Sequence, residues 1–212
     1  RFFHTMRYWW MSHNVHHSSE HYNIATALRQ PWTNHVGLHV LIGIPMVLIG
    51  FHPLLVGFAG GLNLLYQFWI HTETIDRLPK WFESVMNTPS HHRVHHGIDP
   101  KYLDANYAGT FIIWDKMFGT FVLEQETPTY GLVHQMETQN PVKVAFREMI
   151  NIIKDCTQKG LSIKQRALYI FGPPGYCHDA SRETVKQIWT REGLDWRLNG
   201  KAQQSDVLDP AE

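Results

Sequence analysis

Two short histidine-rich motifs carry the strongest chemical signal in the sequence. The first is His13-Asn14-Val15-His16-His17, the second is His92-Arg93-Val94-His95-His96, and both have the form H-x-x-H-H. On an α-helix, positions i, i+3 and i+4 lie within an arc of about 100°, so each motif directs three imidazoles to one side. Two copies with matched spacing predict that the motifs face each other as two halves of a metal site.

Histidine as a whole is concentrated in the same part of the chain. The sequence has 15 histidines, and only His134 and His178 lie beyond residue 96. They are spaced and interleaved with aromatic residues, which distinguishes them from a tag. His4 precedes the first motif by nine residues, and nine steps of about 100° place it on the opposite face of a continuous helix. If His4 and His13 both bind metal, the chain must bend between them, or they lie on separate helices.

The number of histidines favours two metal ions. Imidazole binds iron, zinc, copper and nickel, but seven or eight histidines exceed what one tetrahedral zinc uses. The sequence contains no H-E-x-x-H motif, which argues against a zinc peptidase. His71 follows an apolar segment directly, where a histidine is either a further ligand or an anchor at a membrane interface.

Two uncharged apolar segments lie between the motifs. They cover residues 36–51 and 54–70, and a rise of about 1.5 Å per residue gives each a helical length of roughly 25 Å, near the minimum for crossing a bilayer. We expect a transmembrane or re-entrant helical hairpin, with Pro53 in the first turn of its second helix. The alternative is a buried hairpin of a soluble protein.

The expected fold is therefore all-α: an integral membrane helical protein whose hairpin carries a cytosolic, histidine-rich helical cap. Residues 1–135 form the histidine-box domain, and residues 136–212 form a C-terminal helical extension with a disordered tail. In the extension we expect an amphipathic helix at 141–156 and a further helix at 180–192. Residues 111–123 either pack on the hairpin or lie at the membrane interface.

Composition excludes several other classes. With 19 basic and 19 acidic residues the formal net charge is zero, so no basic face for nucleic acid is indicated. Cys156 and Cys177 form neither a C-x-x-C motif nor a disulfide framework, which fits a reducing cytoplasmic setting. No nicotinamide or flavin motif is present, so any electron donor is external.

Basic residues near the motifs give an orientation. Arg77, Lys80, Arg93 and Lys101 all follow the second apolar segment. The positive-inside rule places this side of the protein on the cytoplasmic face, in a bacterial inner membrane or the endoplasmic reticulum.

Four stretches together resemble a known family. They are HNVHHSSEHYNIATALRQ from residue 13, LLYQFWIHTE from residue 64, NTPSHHRVHHGIDPKYLDANYAG from residue 87 and WDKMFGTF from residue 114. They are similar to the fatty acid hydroxylase/sterol desaturase superfamily, and within it to the alkylglycerol monooxygenase-like branch. The resemblance covers about residues 1–135, and it makes that part the di-metal hydroxylase domain.

The resemblance implies a set of ligands. The family's first box has the form H-R-x-x-H, and Arg1-Phe2-Phe3-His4 matches its last four positions, so we expect the missing histidine directly before Arg1 and at least one transmembrane segment upstream of it. Thr5 stands where the alkylglycerol monooxygenase-like branch usually has glutamate. His91 remains open. The implied metal ligands are His4, His13, His16, His17, His71, His92, His95 and His96.

Ligating histidines need acceptors for their second ring nitrogen. Polar side chains near the motifs are candidates for this role, and for each of them a solvated or helix-capping role is the alternative. They are Glu20, Asn23, Glu73, Asp76, Asp104, Asn106 and Asp115.

The implied activity is that of a di-iron membrane oxygenase, which hydroxylates or desaturates a lipid with O2 and an external two-electron donor. The closest branch implies an ether lipid and tetrahydrobiopterin, whereas other branches imply a sterol or fatty acyl chain and a cytochrome or ferredoxin. Zinc can take the place of iron in isolated samples. No catalytic residue beyond the metal ligands is expected, and no residue is assigned to an organic cofactor.

Two other classes of function stay open. One is a non-catalytic membrane protein that binds metal, for which histidines along a transport path would be typical. The other is a zinc-dependent lipid hydrolase, which would need a carboxylate base beside the metal.

Overall fold

Helices supply the regular secondary structure throughout the part of the chain that the computed structural model describes, which is residues 1–34 and 39–194. Two short 3-10 turns, Trp32–Asn34 and His39–Ile42, accompany them, and Met86–Phe111 and Gly97–Tyr130 form isolated bridges. The all-α class is confirmed for these residues. The helices are α1 (Phe2–Thr5), α2 (Arg7–His17), α3 (Ile24–Ala27), α4 (Ile44–Leu48), α5 (Pro53–Ile70), α6 (Lys80–Glu83), α7 (Pro89–His96), α8 (Ile113–Phe118), α9 (Pro141–Cys156), α10 (Ile163–Phe171) and α11 (Val185–Arg191).

A one-residue break separates α1 from α2. Met6 has extended backbone angles, φ −125° and ψ 120°, and the Arg7 amide donates to the Gly172 carbonyl at 2.9 Å instead of continuing the first helix. The break turns α1 back toward α2, so the rings of His4 and His13 lie 4.9 Å apart. Of the two arrangements predicted for these histidines, the structure has the second, since His4 lies on α1 and His13 lies on α2.

The long helix α5 is the candidate membrane span. It is the one helix in the described part of the chain that is long and apolar enough to cross a bilayer. Within α5 the only buried residue is Ile70, which argues against the buried hairpin of a soluble protein. Pro53 occupies the first turn as predicted, and the His52 ring accepts a hydrogen bond from the Leu54 amide at 3.3 Å.

The first apolar segment differs from the expected long helix. Its described portion, residues 39–51, forms a 3-10 turn and the five-residue α4, so an unbroken helix of bilayer length is not found there. Two residues explain the interruption: Pro45 has no amide hydrogen to donate, and Gly50 has a φ of +104°, which ends α4. Residues 35–38, which include His35, lie outside the described part.

Each helix that carries a histidine motif has a small hydrophobic core of its own. On α2, Val15 packs with Leu132, Met136 and Val144, and Trp10 adds to this cluster. On α7, Val94 packs in a second cluster with Tyr102, Ala105 and Val122. Because these clusters hold one side of α2 and of α7, the other sides are free to direct their histidines toward each other.

The C-terminal helices pack on α2. The buried Arg7 side chain forms ion pairs with Glu148 at 2.6 Å and Asp155 at 2.7 Å, both on α9. The bounds of α9 agree with the predicted amphipathic helix, whereas α11 is shorter than the helix predicted at 180–192. The tail predicted to be disordered lies outside the described residues. The division at residue 135 stays a prediction.

Candidate metal centre

The eight histidines implied as ligands gather into two groups of four. In each group, one ring nitrogen from every histidine lies within 4.8 Å of the others. The two groups adjoin, because the rings of His17 and His96, one from each, stack with centroids 4.2 Å apart. Group A consists of His4, His13, His17 and His95, and group B consists of His16, His71, His92 and His96.

The two groups are built by the same rule. Each takes the i and i+4 histidines of one motif and the i+3 histidine of the other. Thus His95 of the second motif joins group A, and His16 of the first motif joins group B. A single histidine completes each set: His4 on α1 in group A, and His71 directly after α5 in group B. Each motif therefore serves both groups, instead of forming half of one site.

Distances between ring nitrogens fit ligands of a common metal ion. The Nε2 atoms of His13 and His17 are 3.2 Å apart in group A. In group B, His71 Nε2 lies 3.2 Å from His16 Nε2 and 3.0 Å from His92 Nε2. Metal–imidazole bonds of about 2.0–2.1 Å give neighbouring ligands a separation of roughly 3.0–3.4 Å.

Backbone carbonyls orient two of the rings. His71 Nδ1 lies 2.6 Å from the Gln67 carbonyl, and His95 Nδ1 lies 3.3 Å from the Ala105 carbonyl. A carbonyl only accepts, so each Nδ1 must carry the proton, which leaves the Nε2 lone pair for metal. Sequence reasoning looked for side-chain acceptors and missed these carbonyls.

Candidate side-chain acceptors have structural roles instead. Asp115 accepts hydrogen bonds from the Tyr107 and Ala108 amides, both at 2.8 Å. Asn106 donates to the His91 and Val122 carbonyls at 3.0 and 2.8 Å. Asn23 caps α3, and the side chains of Glu20, Glu73 and Asp76 are exposed to solvent.

Asp104 differs from the other candidate acceptors in its protonation. Burial raises the pKa of its carboxyl group to about 7.

Burial keeps the histidines neutral, which is the form that binds metal. Loss of solvation lowers the pKa of His16 to about 3, and it lowers the pKa values of His71 and His95 to about 4. Neighbouring rings disfavour protonation further at several positions. Burial also holds the pKa well below its ordinary value for His4, His17, His92 and His96.

Two orphaned nitrogens provide a test of whether metal fits. His4 Nε2 and His96 Nε2 are buried and have no hydrogen-bond partner in the protein. Buried polar atoms normally have one, and a metal ion in each group would supply it. Eight neutral nitrogen donors in two adjoining sets suit a pair of transition-metal ions.

Comparison with known proteins agrees with this site. The model of the family described as fatty acid hydroxylase matches residues 1–120. The chain belongs to the fatty acid hydroxylase family. Its relatives include alkylglycerol monooxygenase of Danio rerio, 49% identical over 146 residues, or 69% of this chain and 32% of the relative. Those of Xenopus tropicalis and Homo sapiens are 47% and 46% identical over 152 residues, or 72% of this chain and 33% and 34% of the relatives.

The fatty acid hydroxylase family consists of membrane oxidoreductases of lipid metabolism. This chain spans about a third of the length of the curated relatives it matches. No solved structure matches it. All eight clustered histidines lie within the residues that match the fatty acid hydroxylase family.

Arg93, inside the second motif of this hydroxylase-family chain, fastens α7 to the turn that follows His71. Its guanidinium is 4% exposed and directs all five N–H groups to acceptors. Two go to the Glu124 carboxylate, both at 2.6 Å. The other three reach the backbone carbonyls of Thr72, Ile75 and Asp76, at 3.2, 2.7 and 2.6 Å. These hydrogen bonds of Arg93 therefore hold His71 close to the histidines of α7.

A cavity of about 430 Å³ borders the centre. Four histidines form one wall: His4, His17, His95 and His96. Residues beyond those matched by the fatty acid hydroxylase family also line it, and they include Leu132, Met136, Arg147, Val185 and Ile188. This size and mixed lining are typical of a pocket for a small organic molecule or part of a lipid.

Within the part of the chain that the structure describes, no further histidine joins either group. His91 is 1% exposed and packs against Phe121 with ring centroids 5.2 Å apart. Cys177, His178 and Asp179 also offer donor atoms within 4.8 Å of one another. Their hydrogen bonds are satisfied locally, since the Cys177 thiol donates to Asp179 at 2.8 Å and His178 Nδ1 bonds the Tyr169 hydroxyl at 2.6 Å. Sequence reasoning did not select this exposed cluster.

Proposed function

We propose that this protein is a di-iron membrane oxygenase that hydroxylates a lipid with O2 and two electrons from an external donor. The observation that carries the proposal is the pair of adjoining four-histidine groups beside a cavity. Each group holds one iron ion, so all eight clustered histidines are metal ligands. When bound, an iron pair supplies reductive activation of O2 for attack on a C–H bond.

The residues of the chain prepare the site for this chemistry. Desolvated imidazoles stay neutral and offer their lone pairs to the metal. The Gln67 and Ala105 carbonyls hold the Nδ1 protons of His71 and His95, which fixes the ring orientations. Leu132 and Met136 line the cavity with apolar surface, which excludes water from the reacting carbon.

The overall reaction places one oxygen atom of O2 in the substrate and reduces the other to water, with two electrons and two protons consumed. The alkylglycerol monooxygenase relatives make an ether lipid the first substrate to test. The resemblance of the sequence to that branch makes tetrahydrobiopterin the first donor to test. A sterol or fatty acyl chain with a cytochrome or ferredoxin is the second combination, and desaturation is the second outcome.

The composition of the two groups favours an oxygenase over the zinc-dependent hydrolase. Each group consists of histidines alone, whereas metal-assisted hydrolysis needs a base close to the metal-bound water. The focused arrangement also differs from histidines spread along a transport path, which a non-catalytic metal carrier would favour.

The test is metal analysis combined with oxygen consumption. The protein would be purified in detergent, and its iron and zinc measured per chain. Reductant-dependent oxygen uptake would then be followed with ether lipids and with mixed membrane lipids. About two irons per chain, with uptake lost in His16→Ala and His95→Ala, support the oxygenase. Zinc in both groups with no uptake after iron reconstitution would refute it and favour the hydrolase or the metal carrier.

A further inference from the structure

A second exposed apolar surface lies beside α5. Six large side chains in and around α6 and α8 are between 44% and 75% exposed. An exposed apolar patch of this kind marks an interaction site. We name it the aromatic surface, and its members are Trp81, Val85, Phe111, Trp114, Met117 and Phe118.

Backbone hydrogen bonds join the two segments of the aromatic surface. The Ile112 amide donates to the Val85 carbonyl at 3.0 Å, and the Asn87 amide donates to the Thr110 carbonyl at 2.8 Å. The Lys116 ammonium donates to the Ser84 carbonyl at 2.9 Å. The six side chains, from two separate stretches of sequence, therefore form one fixed surface.

The aromatic surface is attached part-way along α5, not at its end. The Thr110 hydroxyl donates to Asn63 Oδ1 at 2.8 Å, and the Tyr66 hydroxyl donates to the Asn87 carbonyl at 2.7 Å. Asn63 precedes the last residue of α5, Ile70, by seven positions, which is about 10 Å along the helix. A bilayer that contains α5 therefore also reaches the aromatic surface.

Charges around the aromatic surface suit a lipid headgroup layer. The acidic side chains of α6 and α8 do not face the headgroup layer. Glu83 accepts hydrogen bonds from the Thr88 and Ser90 hydroxyls at 3.0 and 2.9 Å. Asp115 is only 3% exposed. Lys80, at the start of α6, is exposed. Apolar aromatic side chains beside an exposed lysine match the boundary between acyl chains and anionic headgroups.

We propose that the aromatic surface inserts into this boundary of the lipid bilayer, in addition to α5. The occupant is lipid, because the surface is attached to α5, which is itself apolar and exposed, with Leu62 and Leu65 51% and 69% exposed. Tryptophan is enriched at this depth of membranes. The insertion fixes the position of the protein along the membrane normal, so the histidine groups at the C-terminal end of α5 lie directly at the membrane surface.

The test places an environment-sensitive fluorophore on the aromatic surface. Cys156 and Cys177 are replaced by serine, and Met117→Cys, at a position where methionine is 62% exposed, is labelled in protein reconstituted into vesicles containing anionic lipid. We expect nitroxide-labelled lipids to quench the fluorophore and aqueous iodide not to. The matched control is Ile163→Cys at the start of α10, where isoleucine is 87% exposed; there iodide quenches and lipid nitroxides do not.

Two results would overturn the proposal. If iodide quenches the label at position 117 as strongly as the label at position 163, the aromatic surface faces water. If neither quencher reaches position 117, another protein segment covers the surface. Iron content of both labelled variants, compared with the unlabelled protein, shows that the fold around the histidines is intact.

Discussion

Single histidine rings in this protein take their orientation from the backbone. The carbonyls that hold His71 and His95 belong to Gln67 and Ala105, and a backbone carbonyl leaves no trace in the amino-acid pattern. The sequence, through its two motifs and the family resemblance, could therefore predict which histidines cluster, but not which atoms orient them. The same limit applies to Arg93, whose three carbonyl partners become visible only when the turn after His71 is seen.

Removing one histidine should empty one group before the other. His13→Ala should lower iron content to about one per chain through loss from group A, and His92→Ala should do the same through group B, since each removes one of four ligands. Metal analysis and the iron spectrum of each variant measure this. The control is His21→Ala, which changes an exposed ring outside both groups. Full loss of iron in both single variants would contradict independent groups.

Loss of the Arg93 guanidinium should destabilise the protein strongly. In Arg93→Gln the buried Glu124 carboxylate, 6% exposed, has no guanidinium partner, and breaking a buried ion pair on one side costs about 3–5 kcal/mol. Denaturant unfolding in detergent measures the change. The double variant Arg93→Gln/Glu124→Gln should recover part of the loss, because no buried charge remains unpaired. A double variant less stable than Arg93→Gln would contradict this account.

At the scale of elements, periodicity predicted some helices better than others. The two motifs define α2 and α7, and the amphipathic pattern at 141–156 defines α9, because one face of each helix is specified residue by residue. The apolar segment at 36–51 misled the prediction, since hydropathy reports burial or lipid contact and not backbone continuity. Pro45 and Gly50, which interrupt its described portion, decide the local structure there.

Periodicity also does not predict that each group combines two histidines of one motif with one histidine of the other. This combination depends on how α2 and α7 face each other, and this is set by side chains elsewhere, such as Val15 on one helix and Val94 on the other. Spacing predicts that three imidazoles share a side of each helix. It does not predict that His16 and His95 lie in the opposite group from the other histidines of their own motifs.

The attachment of α9 to α2 should depend in part on the Asp155 carboxylate. Asp155 pairs with Arg7 at 2.7 Å and with Arg182 at 2.8 Å, so Asp155→Asn removes a charge shared by two guanidiniums, one of them buried. We expect faster cleavage of the C-terminal segment in limited proteolysis. Glu192→Gln is the control, because its pairing with Arg191 is exposed and contributes at most about 1 kcal/mol. Equal cleavage rates in the two variants would exclude a role for Asp155 in this attachment.

For the whole molecule, the exposed basic residues decide which side of the bilayer the histidine centre is expected to face. Of the basic residues used to infer orientation, Arg93 is buried and paired with Glu124, and Lys101 is paired with Glu126. The proposed orientation on the cytoplasmic face therefore depends on the exposed Arg77 and Lys80 more than sequence reasoning assumed, since burial and pairing were not visible.

Lys101 should be reachable only from the cytoplasm. In protein whose native cysteines are replaced by serine, Lys101→Cys is expected to resist a membrane-impermeant maleimide in intact cells and to react after the membrane is made permeable. Its side chain is 28% exposed, which is enough for labelling. Reaction in intact cells would place the histidine centre on the outer side of the membrane and refute the proposed orientation.

The cavity beside the histidines has walls from two different parts of the chain. The histidines that line it lie within residues 1–120, whereas Leu132, Met136 and Ile188 lie outside them. If the cavity admits the substrate as proposed, the residues that hold the metal and some of those that contact the substrate are encoded in separate stretches of sequence. Substitutions in the second stretch can reshape what is accepted while every metal ligand stays in place, so a lineage can acquire new substrates without passing through an inactive ancestor. The same separation allows a designer to transplant one wall and keep the other.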